Sequence, residues 1–208
     1  MGLYSKYIFP RILEWGLDNR AIRDLRSKTL RTARGRVLEI GFGTGLNLPY
    51  YPSDVDELVI IDPEQMLPKR VERRIEQSGL KVTQMKLDAA AALPFEAQSF
   101  DTVVTTFTLC SIQNVQAALV GIRRMLTPDG HFVFLEHGRS DDPKVARRQD
   151  RLNPLQKMFA AGCNINRPID ELVRDAGLTI TQLERFVMPD VPRVTGEMYL
   201  GTATSWSL

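Results

Sequence analysis

The run Val37-Leu-Glu-Ile-Gly-Phe-Gly-Thr-Gly45 constrains the fold more than any other part of the chain. Its first half, Arg36–Ile40, is a short apolar segment closed by glycines, the pattern of a strand buried on both faces. Burial on both faces means a parallel sheet with helices on either side, so strand and crossover must alternate along the downstream chain. They do. A helix is expected to begin within Thr44–Asn47. Leu58–Ile61 then reads as a strand ending at Asp62, Pro63–Ser78 as a helix with Met66, Val71 and Ile75 toward the core, and Val82–Leu87 as a strand ending at Asp88. After a turn around Pro94 and Ser99 come a β-branched strand, Thr102–Phe107, a helix, Gln113–Leu126, and a tight turn, Thr127-Pro-Asp-Gly130, into the strand His131–Glu136. Five strand-then-helix units in series predict a doubly wound sheet.

The two ends of the chain depart from this rhythm. Tyr4 to about Arg34 has helical spacing, with Pro10 in an early turn or at a break between two helices. Gly138–Pro168 carries a helical stretch near 143–161 and no strand, Ile169–Ala176 is a short helix stopped by Gly177, and Leu178–Met188 and Met198–Thr204 are strands. The link between these last two is too short for a crossover helix, so they pair antiparallel. The fold class is therefore α/β: a Rossmann-like, doubly wound sheet of seven strands, mostly parallel, with an antiparallel C-terminal hairpin and N-terminal helices. One domain divides into a helical lid (1–35), a nucleotide-binding core (36–137), a segment covering the substrate (138–168) and a C-terminal helix with strands (169–208).

Composition narrows the function. With 208 residues, 43% of them hydrophobic, the chain builds one well-buried core. The net charge is only +2, but residues 1–35 carry eight Lys or Arg against three acids, and residues 138–168 carry seven against three. Neither cluster interleaves aromatics and arginines as a nucleic-acid recognition module would, so a small-molecule partner is expected rather than nucleic acid. The two cysteines, Cys110 and Cys163, lie far apart without a C-x-x-C partner, which gives no zinc ribbon, no disulfide framework and no expected metal. Cys110 reads as a small buried hydrophobe. Arg11, Glu14 and Asp18 interrupt any apolar run at the N-terminus, and a reducing cytoplasm is the expected setting.

In an open parallel sheet the ligand lies beyond the carboxyl ends of the strands, where glycines admit it to the backbone. Gly41, Gly43 and Gly45 are spaced G-x-G-x-G, one residue tighter than the dinucleotide fingerprint, and Glu39 stands where a dehydrogenase strand is usually apolar. Asp62 can accept hydrogen bonds from ribose hydroxyls in either a nicotinamide or a sulfonium nucleoside. Asp88, at the next strand end, could accept from an adenine amine. Two acids so close disfavour a pyrophosphate.

Four segments, Val37–Gly45, Ile60–Leu67, Leu87–Ile112 and Leu126–Gly138, resemble in order and spacing the successive motifs of class I S-adenosylmethionine (SAM)-dependent methyltransferases. Position by position, the resemblance implies that Glu39 and the three glycines face the methionine moiety of SAM, with Asp62 on the ribose and Asp88 and Ala89 on the adenine. Phe42, Asn47, Pro63 and Met66 complete the cofactor set, and Thr106, Phe107 and Thr108 lie beside the methionine end and the incoming substrate.

Thr108-Leu-Cys-Ser-Ile-Gln113, Phe134-Leu-Glu-His-Gly138 and Ala161–Pro168 further resemble the small thiol S-methyltransferases, in which a G-C-x-x-x-R segment precedes the short helix; Gly162, Cys163 and Arg167 match it. The chain departs from that group in having no hydrophobic N-terminal anchor, Gly-Phe-Gly for Gly-Cys-Gly, and Pro168 after the arginine. An ordinary thiol is only a few per cent ionised near neutral pH, so a neighbouring base or cation would help the acceptor. His137 is the candidate base or orienting group, against a role in merely shaping the pocket. Arg167 is the candidate anion partner, against a surface salt bridge. Tyr4, Tyr7, Phe9 and Trp15 beside Lys6 and Arg11 fit either a peripheral membrane contact or a lid over the cofactor cleft, and the shortness of the apolar stripe favours the lid. Methylation of nitrogen, carbon or oxygen on a lipid, phospholipid amine or quinone, a nicotinamide oxidoreductase, and a non-catalytic SAM-binding module are the competing readings.

Overall fold

The computed structural model describes residues 9–160 and 162–205, so Tyr4, Lys6 and Tyr7 of the expected first helix lie outside the described residues. The strands are β1 (Gly35–Ile40), β2 (Val55–Ile61), β3 (Val82–Met85), β4 (Phe100–Thr106), β5 (Leu126–His137), β6 (Thr179–Val187) and β7 (Glu197–Thr204). They form one seven-stranded sheet in the order β3-β2-β1-β4-β5-β7-β6. The first five run parallel, and β7 inserts antiparallel to both β5 and β6. The order reverses between β1 and β4, which opens a crevice at their carboxyl ends.

The helices are α1 (Phe9–Leu17), α2 (Arg20–Leu30), α3 (Pro68–Ser78), α4 (Val115–Met125), α5 (Pro143–Phe159), α6 (Ile169–Asp175) and the single turn α7 (Arg193–Gly196). Strand parity assigns them to two layers. Leu38 and Ile40 of β1 join Val103, Phe132 and Phe134 against Leu119 and Ile122 of α4 and Val173 of α6. On the opposite face Val37, Leu58, Ile60 and Val104 pack against Leu30 of α2 and Val71 of α3. Glu39 shares the parity of Val37, so its carboxylate enters the α2 layer. Gln149 of α5, wholly buried, donates to the carbonyls of Gly138, Ile165 and Val194 and accepts from the Ser140 N–H, tying the 138–168 segment to the sheet end. Among the described residues no helix is long and apolar enough to cross a membrane.

Several boundaries differ from the sequence expectation. Pro10 sits in the first turn of α1, the first of the two expected places, and the helical break falls at Asn19, whose side chain caps α2 by accepting from the Ile22 N–H. No α-helix follows the glycine turn: Pro49 and Pro52 leave only a 3-10 turn, Leu48–Tyr50. Helix α3 begins at Pro68 rather than Pro63, because Leu67 before it is left-handed (φ 44°), and Met66 consequently stands in a loop. β3 stops at Met85, short of Asp88, and residues 86–99 reach β4 without a helix. The five regular strand-helix units are thus three helical crossovers and two irregular ones. Thr127–Gly130 belongs to an extended β5, where the register against β4 shifts between Phe100 and Thr102, and is not a separate tight turn.

Candidate active site

The glycine turn forms one wall of a cleft of about 170 Å³ whose lining includes Phe42, Gly43, Asp62, Met66, Met85 and Lys86. Gly41 has φ 77°, and a Cβ there would run into the Thr108 side chain; only glycine serves where β1 passes so close to the β4 loop. Gly43 is also left-handed (φ 58°), but no atom lies within 4 Å of the place its Cβ would take, so this face is open to a ligand. The Gly43 N–H donates to Asp62 Oδ2 at 3.0 Å and the Glu64 N–H to Oδ1 at 2.9 Å. Burial raises the Asp62 carboxyl above the usual range despite those two donors. Pro63 is exposed beside the lining. Asp88 is also exposed, its Oδ1 accepting from the Ala90 N–H at 2.9 Å, while Ala89 turns into the core. At this strand end the structure brings Met85 and Lys86 to the cleft rather than Asp88.

Behind the turn lies a buried polar network. Asn47 Nδ2 donates to Glu39 Oε1 at 2.7 Å and to Thr106 Oγ1 at 3.0 Å, and the Tyr51 hydroxyl donates to Glu39 Oε2 at 2.7 Å. Arg26 Nη1 reaches down from α2 to Asn47 Oδ1 at 2.5 Å and Thr106 Oγ1 at 3.0 Å. Its guanidinium stacks over Phe107, 5.4 Å from the ring centroid, and its buried Nε has no partner. Arg26 and Tyr51 were not among the residues the sequence singled out. The signal for Arg26 was available, since it sits between Ile22 and Leu30 on the buried stripe of α2.

Burial pushes the Glu39 carboxyl from 4.5 up to about 7 against the pull of its hydrogen bonds and Arg26. Because the folded value lies above the unfolded one, this group stabilises the fold fully below pH 4.5, and the contribution is lost as pH rises to about 7. The loss is about 3 kcal/mol over that window. Glu39→Gln should flatten the slope of stability against pH in urea unfolding of the ligand-free protein; equal slopes in the two proteins would contradict the assignment.

Helix α1 is latched across this region. Glu14 is buried and pairs with Arg70 of α3 and, at 2.5 Å, with Arg74, which also donates to the Thr44 carbonyl at 2.7 Å. Trp15, by contrast, is 85% exposed, as are much of Leu155, Met158 and Phe159 on α5.

The ends of β4 and β5 form a second corner on the other side of β1, outside the lining of that cleft. Phe107 is left-handed (φ 55°), which turns the chain so that the Thr108 and Leu109 N–H groups both donate to the wholly buried Glu136 carboxylate at 2.9–3.1 Å. Burial pushes Glu136 up to about 8. Next to it, His137 Nε2 lies 2.9 Å from Cys163 Sγ, so the candidate base faces a cysteine of its own chain. Cys110, expected to be a plain apolar filler, joins the same corner. Arg167 is half-buried and spends its guanidinium on the carbonyls of Leu109 and Ile112, the latter at 2.7 Å. Asn164 adds two bonds to the Cys110 carbonyl, from its N–H at 2.9 Å and from Nδ2 at 2.8 Å. Arg167 is thus a clamp on the loop that carries Cys110, a role neither the anion-partner nor the salt-bridge reading contained. Arg167→Met should speed native-state labelling of Cys110 and Cys163 by a maleimide about tenfold or more, since losing about 1.5 kcal/mol of charged hydrogen bonding raises the open population by that factor. Unchanged labelling would contradict the clamp.

Comparison with known proteins agrees with this geometry. Residues 38–134 match a family model described as a methyltransferase domain. Human thiol S-methyltransferase TMT1A is 30% identical over 156 residues, 74% of this chain and 64% of that protein, so the chain spans just under two thirds of its length. A phosphatidylethanolamine N-methyltransferase of Cereibacter sphaeroides is 28% identical over 149 residues, 71% of this chain and 72% of that one. The crystal structure of N-methyltransferase NodS from Bradyrhizobium japonicum, in complex with S-adenosyl-L-homocysteine, superposes with a TM-score of 0.66 at 18% identity, covering 91% of this chain and 90% of the other. In its strand order and glycine turn the chain has the fold of class I SAM-dependent methyltransferases, and its residues 38–134 match the methyltransferase domain family.

Proposed function

We propose that this chain transfers a methyl group from SAM to the sulfur of a small thiol or sulfide. The residues present fit the donor. Gly43 leaves open space beside the Asp62 carboxylate, and Arg26 keeps a buried, unpartnered Nε in the network that reaches the Glu39 carboxylate through Asn47. Asp62 would hold the ribose hydroxyls, while Arg26 and Glu39 offer one partner for each charge of the amino-acid end. When bound, SAM supplies an electrophilic methyl on a sulfonium, so an acceptor thiolate forms its C–S bond as the donor's C–S bond breaks, leaving two neutral thioethers. The chain's own task is alignment and exclusion of water, to which the latched α1 and the 138–168 segment contribute.

The observation that carries the sulfur acceptor is the convergence of residues 108–113, 134–138 and 162–168 at the ends of β4 and β5. These are the segments in which the chain resembles thiol S-methyltransferases. The exposed Trp15, Leu155, Met158 and Phe159 favour a lipophilic thiol and a peripheral contact with a lipid surface, and free Cys110 and Cys163 suit a reducing cytoplasm. Calorimetry with SAM, S-adenosylhomocysteine and NAD tests the donor: the first two should bind, and binding of NAD alone would reject methyl transfer. Comparison of kcat/KM across thiols, amines, quinols and phospholipids tests the acceptor. Thiols should rank first, and turnover confined to an amine or a lipid would replace sulfur in the proposal.

A further inference from the structure

Cys110 on the loop after β4, His137 at the end of β5 and Cys163 on the loop after α5 bring their ligand atoms within 4.8 Å of one another. Both cysteines are buried and His137 is half-buried. We propose that Cys110, His137 and Cys163 bind one Zn²⁺ ion, its fourth position open to the sulfur of the methyl acceptor. The fourth-position clause rests on the thiol reading above; the metal site stands without it.

The chemistry of the donor set selects the ion. Two thiolates and an imidazole suit a borderline-soft divalent cation, and three protein ligands with one vacant position are the pattern of catalytic rather than structural zinc. Zn–S bonds of about 2.3 Å and Zn–N bonds of about 2.0–2.1 Å set tetrahedral ligand atoms about 3.5–3.8 Å apart. The 4.8 Å envelope accommodates that spacing. Cys163 Sγ and His137 Nε2, now 2.9 Å apart, would separate by about 0.6 Å. A disulfide would use two sulfurs and leave the imidazole idle, and a Cys163–His137 hydrogen bond leaves Cys110 Sγ only the Phe107 carbonyl at 3.6 Å and the Ser111 hydroxyl at 3.5 Å. A metal ion uses all three.

The frame around the three ligands is built to hold them. Asn164 fixes Cys110 through its carbonyl, the Arg167 guanidinium clamps the residues on either side of it, and Glu136 anchors the Thr108 and Leu109 N–H groups. Ligands restrained in this way bind metal without a large ordering cost. The location serves the acceptor. Thr108, two residues before Cys110, donates through Oγ1 to the Gly41 carbonyl at 3.3 Å, so the cluster adjoins the glycine turn. A thiol entering the fourth position gives up its proton to solvent and is held as thiolate at neutral pH, the form that attacks carbon.

The test uses the full chain purified under a phosphine reductant. Elemental analysis after dialysis against micromolar zinc should find about one zinc per chain. Replacement by Co²⁺ should give tetrahedral d–d bands with a thiolate-to-cobalt charge-transfer band, and 2-mercaptoethanol should shift that spectrum. Cys163→Ser and His137→Gln should lose the metal while still binding SAM in calorimetry, which separates metal loss from misfolding. Reduced wild-type protein without stoichiometric zinc, or full metal retention in Cys163→Ser, would overturn the site. A cobalt spectrum indifferent to 2-mercaptoethanol would overturn the open position. A spectrum that responds to the thiol in a protein that methylates no thiol would support the metal site and sink the proposed function instead.

Discussion

Replacing Asp62 with alanine should weaken SAM binding about 10- to 100-fold in calorimetry, corresponding to about 1–3 kcal/mol of buried hydrogen bonding. The carboxylate has two tasks in the ligand-free protein: it accepts the Gly43 and Glu64 N–H groups, and so holds the glycine turn against the loop that contains Met66. Both loops line the same cleft. Losing the carboxylate therefore removes the proposed ribose contact and loosens the wall of the cleft. Asp62→Asn keeps one acceptor oxygen and should lose less. An unchanged affinity in the alanine variant would remove Asp62 from the site.

Gly41→Ala should destabilise the fold by about 2–5 kcal/mol. A residue with a side chain at φ 77° costs about 1–2 kcal/mol, and the added methyl meets the Thr108 side chain in a packed core, worth about 1–3 kcal/mol more. The urea midpoint should fall without a change in the slope of the transition. Gly43→Ala provides the contrast. Its backbone strain is comparable but its Cβ points into open space, so the loss should be smaller and should fall mainly on SAM binding. Equal stabilities of Gly41→Ala and the wild type would mean that the glycine turn is not pressed against Thr108.

The strands were legible because their physics is local. Arg36–Ile40, Leu58–Ile61, Thr102–Phe107 and His131–Glu136 are apolar or β-branched runs, and each lies within or against an observed strand. The short link after Met188 forced β6 and β7 antiparallel. The missing helix after the glycine turn was legible too, in Pro49 and Pro52, but the expectation of a regular crossover outweighed them. Met66 lines the cleft as a loop residue rather than the helical core residue expected.

That Glu39 and Asp62 stand at neighbouring strand ends could be read from the sequence, because a parallel sheet places β1 and β2 side by side. The sulfur corner could not. Cys110 and Cys163 meet only because β4 and β5 are neighbours and because Arg167 and Asn164 staple the later loop to the earlier one. No spacing rule along the chain encodes that. Arg26 was hidden by composition, since a basic helix suggests a solvated face until its apolar stripe is traced through it.

The most direct measurement is the fate of the methyl group. Incubation with SAM labelled by trideuteromethyl and a simple alkyl thiol, followed by mass spectrometry, should yield the trideuterated methyl thioether and S-adenosylhomocysteine in equal amounts, and Asp62→Ala should suppress both. Consumption of SAM with the label on nitrogen, oxygen or carbon, or SAM binding with no labelled thioether at any thiol concentration, would contradict methyl transfer to sulfur.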